Sequence, residues 1–144
     1  MLHSHVRNYL HITWATKNRV QVFQDHSKIE LKDFMIEKSK EMLTPVLAIH
    51  VQPEHVHLMV DLPSNLCLSD FTQKIKGSSS HWLNEQKLVP GKFLWQRGYG
   101  AFSVSASQLE VVKKYIQNQD EHHRRKTHEE EYTDWKKNYG FFDD

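Results

Sequence analysis

The stretch from residue 46 to residue 62 constrains the fold more than any other part of this chain. It reads Val46-Leu47-Ala48-Ile49-His50-Val51, then Gln52-Pro53-Glu54, then His55-Val56-His57-Leu58-Met59-Val60-Asp61-Leu62. Two runs rich in β-formers flank a proline that cannot donate to a ladder. The pattern predicts strands over 46–51 and 55–62, joined as a tight antiparallel hairpin. Side chains on a strand alternate faces with period two. His55 and His57 therefore share one face, while Val56, Leu58 and Val60 point the other way, into a core. Two imidazoles side by side on a rigid strand are half of a metal site. Spacing alone does not complete it. With 11 histidines in 144 residues, one His-x-His pair is expected by chance, and His3-Ser4-His5 is a second.

The other elements arrange themselves around this hairpin. Residues 8–14 alternate polar and apolar and predict a strand. Lys17-Asn18-Arg19 reads as a basic loop or strand end. Ser27-Lys28-Ile29-Glu30 has the form of a capping box, opening a helix that runs to about Leu43 before Pro45 blocks it. A second helix is predicted over 68–86, with Leu68, Phe71, Ile75, Trp82 and Leu83 at helical spacing. Its middle, Lys76-Gly77-Ser78-Ser79-Ser80, is small and polar, which suits close approach to a sheet. Residues 93–104 read as extended, interrupted at Arg97-Gly98-Tyr99-Gly100. Ser107-Gln108-Leu109-Glu110 is a second capping box, opening a third helix to about Glu121. The order β-α-β-β-α-β-α predicts an α+β fold: a ferredoxin-like βαββαβ antiparallel sheet with helices on one face and an additional C-terminal helix.

That third helix carries the groups the histidine pair lacks. Leu109, Val112 and Ile116 make its apolar stripe, and Tyr115 and Gln119, four residues apart, share a face at its edge. A partly buried amide needs a partner, and a metal ion would serve. A phenol, with a pKa near 10, becomes a nucleophile only with help from a cation or a base.

Charge is uneven along the chain. Residues 1–128 carry 17 Lys and Arg against 12 Asp and Glu, and residues 129–144 carry 2 against 6. We read residues 1–128 as one domain and 129–144 as an acidic tail with Tyr132, Trp135, Tyr139 and Phe141. The basic body permits binding to a phosphate backbone without requiring it. A single cysteine, Cys67, excludes an intrachain disulfide. With no signal peptide and no apolar run of spanning length, a cytoplasmic protein without a membrane partner is expected.

Four blocks occur in order: Pro53-Glu54-His55-Val56-His57-Leu58-Met59-Val60, Gln73-Lys74-Ile75-Lys76-Gly77-Ser78-Ser79, Leu94-Trp95-Gln96-Arg97-Gly98-Tyr99, and Tyr115-Ile116-Gln117-Asn118-Gln119. Together with Trp14-Ala15-Thr16-Lys17-Asn18-Arg19, they resemble the single-tyrosine transposases of the insertion-sequence-200-like group, within the HUH nuclease superfamily. The resemblance covers most of residues 8–122. It implies His55, His57 and Gln119 as metal ligands, with Mg2+ or Mn2+ as the cofactor. On chemical grounds, two imidazoles and an amide suit manganese or zinc better than magnesium. It also implies that Tyr115 attacks single-stranded DNA, forming a 5′-phosphotyrosine link, and that the enzyme is a homodimer recognising DNA hairpins. Lys74, Lys76, Ser78 and Ser79 are the implied phosphate contacts, with Lys17, Arg19 and Arg97 beside them. Two other readings fit the same residues: a single-stranded nucleic-acid-binding module without strand transfer, and a metal-dependent phosphodiesterase in which Tyr115 is structural.

Overall fold

The computed structural model describes residues 4–119 and residue 130. The acidic aromatic tail and the end of the expected third helix lie outside the described residues. Four strands and three helices are present among those described: β1 (Tyr9–Ala15), α1 (Asp25–Glu41), β2 (Val46–Val51), β3 (His55–Asp61), α2 (Leu68–Gln86), β4 (Gly100–Ser103) and α3 (Leu109–Gln117). The strands form one sheet in the order β2-β3-β1-β4. All three pairings are antiparallel. The hairpin, the element order and the α+β class all match the sequence-based expectation.

Period-two alternation divides the sheet into two faces. On one, Ile12, Trp14, Ile49, Val51, Val56, Leu58 and Val60 pack against Leu31 and Met35 of α1 and Phe71, Ile75 and Leu83 of α2. On the other, Ala48, Met59 and Val104 pack against Ile116 of α3, with Tyr9, Leu109, Val112 and Tyr115 at the margin. Helices α1 and α2 thus share one face, and α3 covers the opposite one. The apolar stripe of α3 requires this, because the first face is already filled.

Several boundaries differ from expectation, among them the end of α3, which closes at Gln117 with a turn at Asn118. Helix α1 begins two residues before Ser27, which sits inside its first turn. Gln24 is the cap residue, and its N–H donates to Ser27 Oγ at 2.9 Å. The fourth strand is confined to four residues, with one isolated bridge between Thr16 and Trp95. The intervening carbonyls are engaged elsewhere. Lys76 Nζ donates to Gln96 O at 2.8 Å and to Gly98 O at 2.7 Å, and Gly98 takes φ +90, a conformation that side chains disfavour. Finally, Ser107 does not cap α3. It lies in a 3-10 turn over Ala106–Gln108 that leads into the helix.

Candidate active site

The register brings several polar side chains together under α3. His57 on β3 lies opposite Thr13 of β1 on one side and His50 of β2 on the other. His55 lies opposite Ala15, at the end of the sheet where β1 leads into a 3-10 turn, Lys17–Arg19. His11, His55 and His57 are all buried. On a face turned toward solvent these imidazoles would need no partners; buried, they require hydrogen bonds.

They have them, in series. His55 Nδ1 lies 2.8 Å from Glu54 Oε1, so its ring N–H donates to that carboxylate. His55 Nε2 lies 3.0 Å from His57 Nε2. His57 Nδ1 in turn lies 3.0 Å from His11 Nε2. Burial lowers the pKa of His11 to about 3, so that ring is neutral.

The centre of this chain is where a cation fits. With the Nδ1 proton of His55 given to Glu54, its Nε2 turns a lone pair toward His57. Two nitrogen lone pairs do not face each other at 3.0 Å unaided. Either a proton or a cation lies between them. Cations such as zinc hold imidazole nitrogens at about 2.0–2.1 Å, and two such nitrogens at right angles are about 3 Å apart. Among the described residues no group of three His, Cys, Asp or Glu side chains is placed to hold a metal ion. Among the described residues, a third protein ligand would therefore be of another type.

Helix α3 and the residues just past its end offer one. The ring of Tyr115 stands edge-on to His57, centroids 6.4 Å apart and planes at 85°. One turn further, Gln119 is fully buried. Its amide nitrogen donates to Tyr115 O at 3.1 Å. Its Oε1 is buried with no hydrogen-bond partner among the described residues. An orphaned amide oxygen is unfavourable in isolation and is the kind of acceptor a cation stabilises. By donor type, two imidazole nitrogens and an amide oxygen suit a metal ion.

The basic residues implied by resemblance divide into groups. Lys17, Arg19 and Arg97 are exposed near the end of the sheet that holds His55, and Lys74 is exposed on α2. The loop carrying Arg97 is fastened there: Lys17 N–H donates to Leu94 O, and Asn18 N–H donates to Gln96 Oε1. Between this loop and α2 lies an open cleft of about 510 Å³, with Lys76, Trp95, Arg97 and Tyr99 among its lining residues. Three of these side chains are engaged within the protein. Ser79 is fully buried, and its Oγ accepts the indole N–H of Trp95 at 3.0 Å. It anchors the loop and presents nothing to a phosphate. Lys76, with its pKa lowered by partial burial, spends two of its three donors on loop carbonyls. Ser78, partly exposed, turns its hydroxyl back to Lys74 O at 2.6 Å.

Two residues of the site had no assigned role in the sequence reading, Glu54 and His11. Glu54 was legible only as part of its block. His11 had a usable signal: alternation along β1 puts it on the same face as Tyr9 and Thr13, the face that meets α3.

Comparison with known proteins shows the family. Residues 4–119 match a family model described as IS200-like transposase. The chain is 29% identical over 115 residues to the ISDra2 transposase TnpA of Deinococcus radiodurans, covering 76% of this chain and 81% of that protein. It is 26% identical over 115 residues to the transposase for insertion sequence element IS200 of Salmonella typhimurium, covering 76% and 74%. Among solved structures, a transposase of Deinococcus radiodurans R1 superposes with a TM-score of 0.67 at 28% identity, over 83% of this chain and 96% of that one. A REP-associated tyrosine transposase bound to a REP hairpin superposes with a TM-score of 0.64 over 85% and 73%, and its 18% identity makes this a likeness of fold.

Proposed function

The chain belongs to the IS200-like transposase family, and from that premise we propose that it cleaves and rejoins single-stranded DNA through a covalent bond to Tyr115. The observation that carries this reading is the placement of Tyr115 edge-on against His57 within one chain, with the buried Gln119 four residues on, just past the end of the helix. This placement supports a site whose phenol and histidine ligands come from one chain.

In the proposed reaction Tyr115 Oη attacks the scissile phosphorus. The bond from phosphorus to the 3′-oxygen breaks, the phenol proton is lost to solvent, and the departing 3′-oxygen takes up a proton. The 5′ end of the downstream strand remains on the tyrosine. Because one ester replaces another, the 3′-hydroxyl of a second strand can reverse the step without an energy source. His55, His57 and Gln119 are the residues that would hold a divalent cation, Mg2+ or Mn2+, whose role when bound is to polarise the phosphate and offset developing charge. Glu54 keeps His55 in the tautomer whose Nε2 is available. Lys17, Arg19, Lys74 and Arg97 are proposed to follow the DNA backbone, with the cleft at Trp95 and Tyr99 beside them. The proposed substrate is single-stranded DNA bearing a hairpin, and the proposed working form is a homodimer. Among the described residues no helix is long and apolar enough to cross a membrane.

End-labelled hairpin DNA tests this reading with either metal. Label at the 3′ end should migrate with the protein on denaturing gels, and label at the 5′ end should appear in a free, shorter strand. Cleavage with both labels free would favour hydrolysis. Binding without cleavage would leave a nucleic-acid-binding module.

A further inference from the structure

The position of His11 in the sheet asks for an apolar side chain. Its register partners are Met59 on β3 and Phe102 on β4. It is fully buried, and the ring of Phe102 stands edge-on to it at 6.3 Å and 65°. An imidazole placed there loses its hydration, which is unfavourable unless a hydrogen bond replaces it. The bond found is to His57, at 3.0 Å from Nε2 of His11 to Nδ1 of His57, with ring centroids 5.2 Å apart.

We propose that His11 is a positioning residue for the metal centre, accepting the Nδ1–H of His57 so that the Nε2 lone pair of that ring is directed at the cation. The proposal rests on His57 being a ligand. It follows from the two ends of the hydrogen-bonded series. A histidine that ligates through Nε2 must carry its proton on Nδ1, and that proton needs an acceptor. His55 has Glu54, whose side chain is 12% exposed and near the sheet end. His57 sits in the middle of the sheet, between Thr13 and His50, and the group that faces its Nδ1 is the His11 ring. A neutral imidazole accepts the same proton without adding charge. The two ligands are thus braced unequally, one by a carboxylate and one by a ring.

The test uses the whole protein without DNA, titrated with Mn2+ and followed by the EPR signal of the free ion. His11→Phe keeps the shape and removes the acceptor, and it should bind Mn2+ about 10–100-fold more weakly. His11→Gln puts an amide oxygen where Nε2 stood, and it should recover most of the affinity. A folded His11→Phe that binds as tightly as the parent would overturn the proposal, as would a His11→Gln no better than His11→Phe. If the parent itself binds no Mn2+, the metal reading of His55 and His57 fails and this proposal fails with it, a result distinct from equal binding by parent and variant. Should His11→Phe not fold, 15N NMR of the Zn2+-loaded parent decides. Scalar coupling across the bond between the His57 and His11 ring nitrogens is expected, and its absence contradicts the assignment.

Discussion

Tyr115→Phe is expected to abolish strand cleavage while leaving the fold and DNA binding intact. The ring of Tyr115 lies at the margin of the small core under α3, with Met59 and Ile116, and phenylalanine fills the same space. The loss in stability should stay near 1 kcal/mol, the worth of one hydroxyl hydrogen bond. The loss in reactivity should be far larger. A nucleophile deleted from a catalytic unit typically lowers the rate by about 10⁴-fold or more, so both the released strand and the protein-linked strand should fall below detection. If cleavage persists in the variant, the oxygen that attacks phosphorus belongs to water, and Tyr115 is a packing residue of a phosphodiesterase. The two outcomes are far apart because phenylalanine cannot form the ester at all.

The second large effect is expected at His57. His57→Ala removes a proposed ligand and also the middle of the series that joins His55 to His11. Outer-shell partners alone are commonly worth about 10–100-fold in metal affinity or activity, so loss of a ligand should exceed that range. Cleavage should drop more than about 100-fold, and added Mn2+ should no longer raise the melting temperature. Hairpin affinity should change little, because the basic groups proposed to meet the backbone lie at Lys17, Arg19, Lys74 and Arg97. The cost in stability is real but bounded. His57 is buried, and its loss leaves two imidazoles each short of a partner, about 1–3 kcal/mol for each. Circular dichroism should therefore accompany the assay. A folded variant that keeps cleavage within tenfold of the parent would remove His57 from the metal centre.

Much of this fold was legible from alternation and breakers. Pro53 between two β-rich runs gave the hairpin, and the parity of Val56, Leu58 and Val60 against His55 and His57 gave both faces of β3. The apolar stripe of α3 was legible too; that it packs on a second small core around Ala48, Met59, Val104 and Ile116 came from the structure. What failed did so where side chains compete for backbone groups. Nothing local to residues 93–99 says that a lysine twenty residues away will draw off the carbonyls of Gln96 and Gly98, and so the fourth strand came out too long. The same bonds occupy two of the three donors of Lys76. Ser79 misled for a related reason: a serine in a small polar run looks exposed until an indole N–H comes down on it from another segment.

The candidate site divides along the same line. His55, His57, Tyr115 and Gln119 stood out because strand and helix periodicities placed each pair on one face. That α3 then brings Tyr115 against His57 is a tertiary fact, visible beforehand only through resemblance. Glu54 and His11 had no such periodic signal as a pair. They act through the second nitrogen of each imidazole, and which group reaches that nitrogen depends on strand register.

Peptide mapping of the trapped DNA adduct is the most direct check on the proposed chemistry. The protein is incubated with a single-stranded hairpin substrate and Mn2+, denatured, digested with nuclease and protease, and read by tandem mass spectrometry. The expected result is a nucleotide phosphate on the phenolic oxygen of Tyr115, with the attached nucleotide being the one 3′ to the cleaved bond. A nucleotide found on another residue, or efficient cleavage with Tyr115 unmodified throughout, would contradict it.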